Sequence, residues 1–219
     1  MKFVILTKLK YQSLAVLGVI GFVTATTAIS PLALAKIQGQ KLPKSQLVAQ
    51  YQDKDELERS LLVREANDYY NQGNFTDAEE KLQKLLKKFP KDVFGHYQLG
   101  NVLYRQGKSE EAINYYQKVI TLNPRHAVAY NAIGIVYAKQ GKWEEAITVY
   151  QKALNINRNY GDAVLNLGEA LWEQGKKDEA ITYLEKARDI FQKENKNQRV
   201  KQIEKFIQNL KKQDDPSIS

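Results

Sequence analysis

The residues of this chain able to do chemistry are 25 carboxylates, two histidines and 13 tyrosines, with no cysteine. Without thiols there is no disulfide, no thiolate nucleophile and no cysteine-ligated zinc or iron–sulfur site, and two histidines are too few for most His-rich metal sites. Their positions argue the same way. His96 falls where a helix should pack and is read as structural, and His126 lies in a turn with no acid or second histidine in a recognisable motif. The paired acids Glu110-Glu111, Glu144-Glu145 and Asp178-Glu179 resemble acid–base couples until their spacing is noted. They recur at one place in a repeated unit, the first turn of a helix, where the helix dipole accounts for them. No Gly-rich phosphate loop, His-Glu-x-x-His or Gly-x-Ser-x-Gly occurs. The residues imply a non-catalytic chain with no cofactor and no metal site.

What positions these side chains is a body of 219 residues, 43% hydrophobic and 26% charged, too apolar for disorder and too charged for an integral membrane protein. Its net charge is +8, but Lys2, Lys8 and Lys10 belong to a leader; without them 30 bases face 25 acids, an excess of +5. Unless one face concentrates it, that excess does not call for nucleic acid. The leader is tripartite: a lysine-bearing start, an uncharged run over 11–35 that is most apolar from Leu14 to Ile29, and Pro31 followed by Ala33-Leu34-Ala35. This pattern predicts a signal peptide over 1–35, cleaved after Ala35. The rival reading is an uncleaved anchor that uses residues 11–35, with the lysines held on the cytoplasmic side. Either way the remainder is expected across a membrane, in a periplasm, lumen or extracellular space. Residues 36–54, polar and without helical or strand periodicity, are expected to be a flexible tether. Residues 213–219 are expected to be a disordered tail.

The dominant feature is an internal repeat of 34 residues in four contiguous units, 59–92, 93–126, 127–160 and 161–194. Position 14 is always Gln (Gln72, Gln106, Gln140, Gln174), position 15 always Gly (Gly73, Gly107, Gly141, Gly175), position 20 always Ala (Ala78, Ala112, Ala146, Ala180) and position 26 always Lys (Lys84, Lys118, Lys152, Lys186). Each unit reads as helix, turn, helix. Apolar or small residues at positions 4, 7, 8 and 11, such as Tyr130, Ile133, Gly134 and Tyr137, form one face of the first helix. The glycine supplies the left-handed backbone that ends it. Acids then open the second helix, and small residues at positions 8 and 20 let the two approach closely. Tyr69, Tyr116, Tyr137 and Tyr150 occupy packing positions and are assigned to the core. After the fourth unit, Val200, Ile203, Ile207 and Leu210 recur at helical spacing, predicting a capping helix over 195–212.

The chain here resembles the tetratricopeptide repeat family, through Leu99-Gly100, Gly107, Ala112, Tyr116 and Pro124 in the second unit and Ile133-Gly134, Tyr137, Gly141, Ala146, Tyr150 and Ala153 in the third. The resemblance implies an all-α, right-handed solenoid of four helical hairpins plus the cap. Departures are mild: Glu65 stands at an apolar position, and Arg158 and Gln192 replace a terminal proline. Gln192 predicts that the last repeat helix runs past its usual stop.

In the family, positions 2, 5, 9 and 12 of the first helices line a concave groove. Here that stripe holds Ser60, Val63, Asn67 and Tyr70; Phe94, Tyr97, Asn101 and Tyr104; Val128, Asn131, Ile135 and Ala138; and Asp162, Leu165, Glu169 and Trp172. Arg64, Asn71 and Arg105 flank it. Rings with interleaved amides suit an extended or helical peptide, since rings bury side chains and Asn both donates to and accepts from a backbone. The candidate groove residues are thus Arg64, Asn67, Tyr70, Asn71, Phe94, Tyr97, Asn101, Tyr104, Arg105, Asn131 and Trp172. The plain alternative is that Tyr70, Tyr104 and Trp172 pack on the next unit. The family's clamp for a carboxylate-terminated chaperone tail is missing: its positions hold Val63, Asn67, Gln98, Val128 and Ala132 from one start, and Tyr97, Asn101, Ala132, Asp162 and Asn166 from the next. The expectation is a non-catalytic scaffold that takes a protein or peptide segment in its groove and acts in assembling a complex beyond the cytoplasmic membrane. The rivals are an accessory subunit of an envelope enzyme or of a membrane complex, photosynthetic ones included, and a self-assembling structural module.

Overall fold

Position 20 of each unit carries the least side chain a helix can bury, and Ala78, Ala112, Ala146 and Ala180 are all 0% exposed. They sit where the two helices of a unit meet. In the second unit, Gly100 faces the Tyr116 ring so closely that an added Cβ would lie 2.5 Å from Cε1; Gly134 faces Tyr150 in the same way in the third. Tyrosines at 116 and 150 can therefore lie flat across the opposing helix, and both are 2% exposed.

The computed structural model describes residues 44–213 in backbone and 53–212 in side chains. Among these residues the chain is all-α: α1 (Lys44–Asn71), α2 (Phe75–Lys88), α3 (Val93–Arg105), α4 (Ser109–Leu122), α5 (Ala127–Lys139), α6 (Trp143–Ile156), α7 (Gly161–Glu173), α8 (Lys177–Lys193) and α9 (Asn197–Gln213). From α2 onward each helix packs on the next in sequence, and α5 also touches α7, so first helices meet across a unit boundary. This is the predicted succession of hairpins and cap. The leader, residues 36–43 and most of the expected tail lie outside the described residues.

One expectation is corrected. The tether was to reach residue 54, yet α1 is helical from Lys44. Residues 44–54 contain no glycine or proline, and the Gln, Lys, Leu and Ala there are adequate helix formers. With the downstream helix already held by packing, adding turns to it needs no new nucleus.

Within each unit the turn is the same pair of backbone bonds. Gly107 N donates to Tyr104 O and Lys108 N to Leu103 O, and the pattern recurs at Gly141 and Gly175. These are Schellman caps, and they require the left-handed φ of +72° to +82° found at the invariant glycines. The α8–α9 turn repeats the bonds with Asn195 at φ 57°. As Gln192 predicted, α8 runs past the usual stop to 17 residues, against 14 for α4 and α6; because α6 ends at 14 with Arg158 in place of the proline, the missing proline permits the extension without causing it.

Each buried cluster crosses a unit boundary. The first runs from Leu62 to Val136, the second from Ala146 to Ala180, and the third joins Val164, Leu184 and Phe191 to Ile203, Ile207 and Leu210 of α9. No hairpin closes its own core. At the N-terminal end the unexpected Glu65 is held by Lys81 at 2.9 Å, which draws its carboxyl below the usual range.

Burial pushes the phenols of Tyr116, Tyr150 and Tyr160 up, that of Tyr160 to about 12. The unfolded chain loses these protons from about pH 10 and the folded chain only later, so their stabilisation is complete below about pH 10 and is lost as pH rises beyond it. Urea midpoints should hold between pH 8 and 9.5, fall steeply toward pH 11.5, and fall less steeply in Tyr150→Phe; an equal slope in that variant would contradict the assignment.

Candidate functional site

The first-helix stripe is a continuous surface because adjacent units bond across it. Gln98 of α3 donates to Asn67 of α1 at 2.9 Å, and Asn101 donates to Gln98 at 2.8 Å. The buried Tyr116 hydroxyl donates to Asn101 at 2.8 Å. Asn67, Gln98, Asn101 and Tyr116 thus form one polar relay from the surface into the core. Further along, Asn166 donates to Asn131 at 2.9 Å.

Around the relay lie rings and cations. Arg105 stands over both Tyr70 and Phe75, 5.6 and 4.9 Å from the centroids, with a 3.4 Å bond to the Tyr70 hydroxyl. Lys139 of the next unit lies 5.0 Å above Tyr104. Among the described residues neither cation is ion-paired with a carboxylate. Phe94 and Val128 open the stripe in successive units and are 39% and 38% exposed.

The structure therefore brings Asn67, Tyr70, Tyr97, Asn101, Tyr104 and Arg105 together and leaves Arg64 and Asn71 exposed at the flank. Three placements differ from expectation. Tyr97 is half-buried, its ring 5.7 Å from Tyr116 and 5.6 Å from His126, with burial pushing its phenol up. It packs as much as it projects, because the turn at His126 folds back over it. Asn131 is 4% exposed, and its side-chain oxygen is taken by Asn166. Trp172 packs against the clusters of the last units beneath Lys177. Gln98, Phe75 and Lys139 join this surface from outside the stripe positions. An amide at position 6, in Gln98 and again in Asn166, was the available signal for the relay.

The remaining polar residues resolve into structural duties. His96 donates Nε2–H to the Pro90 carbonyl at 2.9 Å, and His126 caps α5 by accepting from Ala129 N at 3.1 Å. Of the two stripe acids, Asp162 is ion-paired with Arg199 of α9. Packed surroundings push the Glu169 carboxyl up, while Arg199 pulls it back. In the third and fourth units the Gln at position 14 reaches the acid opening the previous unit's second helix, Gln140 to Glu110 at 3.1 Å and Gln174 to Glu144 at 2.6 Å. Among the described residues no group of three or more acids or histidines is arranged to hold a metal.

Removing Asn101 should strand the Tyr116 hydroxyl in the core. Asn101→Ala is expected to lower unfolding free energy by about 1–3 kcal/mol. In a double-mutant cycle with Tyr116→Phe, denaturation should reveal a coupling of about 1 kcal/mol, and additive effects would break the relay assignment.

Family models described as tetratricopeptide repeat match residues 60–92, 92–159 and 125–193. No curated protein matches the chain. Among solved structures, two crystal structures of MamA are similar. One has 29% identity and a TM-score of 0.56 over 67% of this chain and 79% of that one; the other has 26% and 0.58 over 75% and 96%. YrrB, whose structure is described as that of a TPR protein with an unusual peptide-binding site, shares the fold at 23% identity and a TM-score of 0.52, over 60% of this chain and 68% of that one. With family matches spanning residues 60–193 and the hairpin geometry above, this chain belongs to the tetratricopeptide repeat family.

Proposed function

We propose that the first-helix face of α1, α3 and α5 is a groove that takes an extended or helical segment of a partner protein. In this reading the chain is a non-catalytic scaffold that organises a protein complex. The observation that carries the proposal is the exposure of Phe94 and Val128 at the same place in successive units, 39% and 38%, beside the half-buried rings of Tyr70, Tyr97 and Tyr104. Large apolar side chains held in water on one continuous surface are what a partner covers. Arg105 and Lys139, poised over rings, add donors for carbonyls or carboxylates of the bound segment. The relay of Asn67, Gln98 and Asn101 holds the floor of the groove rigid, so little ordering remains to be done on binding. The peptide-binding description of YrrB agrees with this reading.

From the tripartite leader we infer that this scaffold acts beyond the cytoplasmic membrane, in a periplasm, lumen or extracellular space. N-terminal sequencing of the mature protein should begin at Lys36; a full-length form released only by detergent would replace export with anchoring through residues 11–35.

The groove itself is tested by a photo-crosslinking residue at 94, with one at the exposed Gln117 on α4 as control. A discrete adduct from 94 and none from 117 is expected. Phe94→Ala with Val128→Ser should weaken capture of that adducted partner by about 2 kcal/mol, while the melting temperature stays within about 2 °C because both side chains are exposed. Adducts from 117 alone, or undiminished capture, would move the binding surface off the first helices.

A further inference from the structure

On the side built by the second helices, an open depression of about 550 Å³ lies between α2, α3 and α4. No residue of the groove stripe lines it. The volume is within the range of small-molecule sites, and its composition follows the usual rule of apolar walls with a few polar groups. Leu86, Leu99, Leu122 and the Tyr115 ring supply apolar surface, with Leu122 37% exposed. Lys87 and Lys118 also line it. Both are exposed, and neither is ion-paired among the described residues; the Lys118 ammonium rests 4.2 Å above the Tyr115 ring.

The third feature is His96. It lines the depression and is 7% exposed. Its Nε2 faces a carbonyl and must carry the proton, so Nδ1 is an acceptor, buried and without a partner. A buried acceptor left unmatched is costly, and a hydroxyl donor would complete it.

This combination is not a by-product of the repeat. At the positions of His96, Lys87 and Lys118, the next boundary has Tyr130, Thr121 and Lys152, and the third has Val164, Asn155 and Lys186. The first boundary alone joins two lysines to a histidine.

We propose that this depression is a second binding site, for a compact hydroxyaryl carboxylate: an aromatic body against the leucines and Tyr115, a carboxylate between Lys87 and Lys118, and a hydroxyl donating to His96 Nδ1. The test is calorimetric titration of the full chain with 3-(4-hydroxyphenyl)propionate and with 3-phenylpropionate. The hydroxylated acid should saturate one site and bind several-fold tighter than its analogue. Lys87→Glu with Lys118→Glu, both at exposed positions, should weaken it about tenfold or more. His96→Phe should erase the preference between the two acids. Imidazole ¹⁵N shifts of the wild-type chain give the same readout without a variant: the His96 Nδ1 resonance should move with the hydroxylated acid and stay with the other. No saturable binding up to about 10 mM, equal affinity in the charge-reversed chain, or an unmoved Nδ1 resonance would overturn the proposal.

Discussion

The close approach of the two helices in each hairpin is the constraint on which the rest depends. It is made possible by alanine at position 20 and by a small residue at position 8, Ala66, Gly100, Gly134 or Gly168. With no Cβ at Gly100 or Gly134, a tyrosine at position 24 can lie across the opposing helix and bury its ring. That ring carries a hydroxyl, which in the core must find a partner. Tyr116 finds Asn101, and through it the groove relay. The packing of a hairpin and the polar surface of the groove are therefore parts of one arrangement, joined at a single side chain.

Polar residues elsewhere are arranged by the same logic. In the third and fourth units the invariant glutamine stitches the unit to the acid at the head of the previous second helix, so a recurring residue also ties these units together. Arg199 does the corresponding work between α9 and Asp162 at the C-terminal end. Since each apolar cluster spans a unit boundary, stability and the continuity of the first-helix face come from the same contacts. A solenoid of this kind presents its first helices as one surface only while the boundaries hold.

The two faces differ in how they depart from the repeat. Along the first helices the departures are aromatic and amide residues set at one periodic place, which makes a long, continuous stripe. Between the second helices of the first two units they are concentrated at one spot, His96 with Lys87 and Lys118, which makes a compact one. Repetition supplies the framework, and local exceptions to it supply the chemistry.

The architecture was legible in the sequence by itself. A 34-residue period with invariant Gly and Ala admits few arrangements other than stacked hairpins, because glycine at a helix end and alanine at a crossing each answer a steric requirement local to the unit. The longer α8 was only half legible: Gln192 lifts the block a proline would set, but Arg158 lifts it equally in the third unit and α6 still ends at 14 residues. The start of α1 was not, because residues 44–54 lack periodicity, and helix there is propagated from a packed neighbour. The groove stripe could be drawn from helical spacing alone. Its inner order could not: whether Tyr97 projects or packs, whether Asn131 faces a ligand or Asn166, and where Arg105 comes to rest are set by residues about one repeat away, which only the tertiary fold brings within hydrogen-bonding reach.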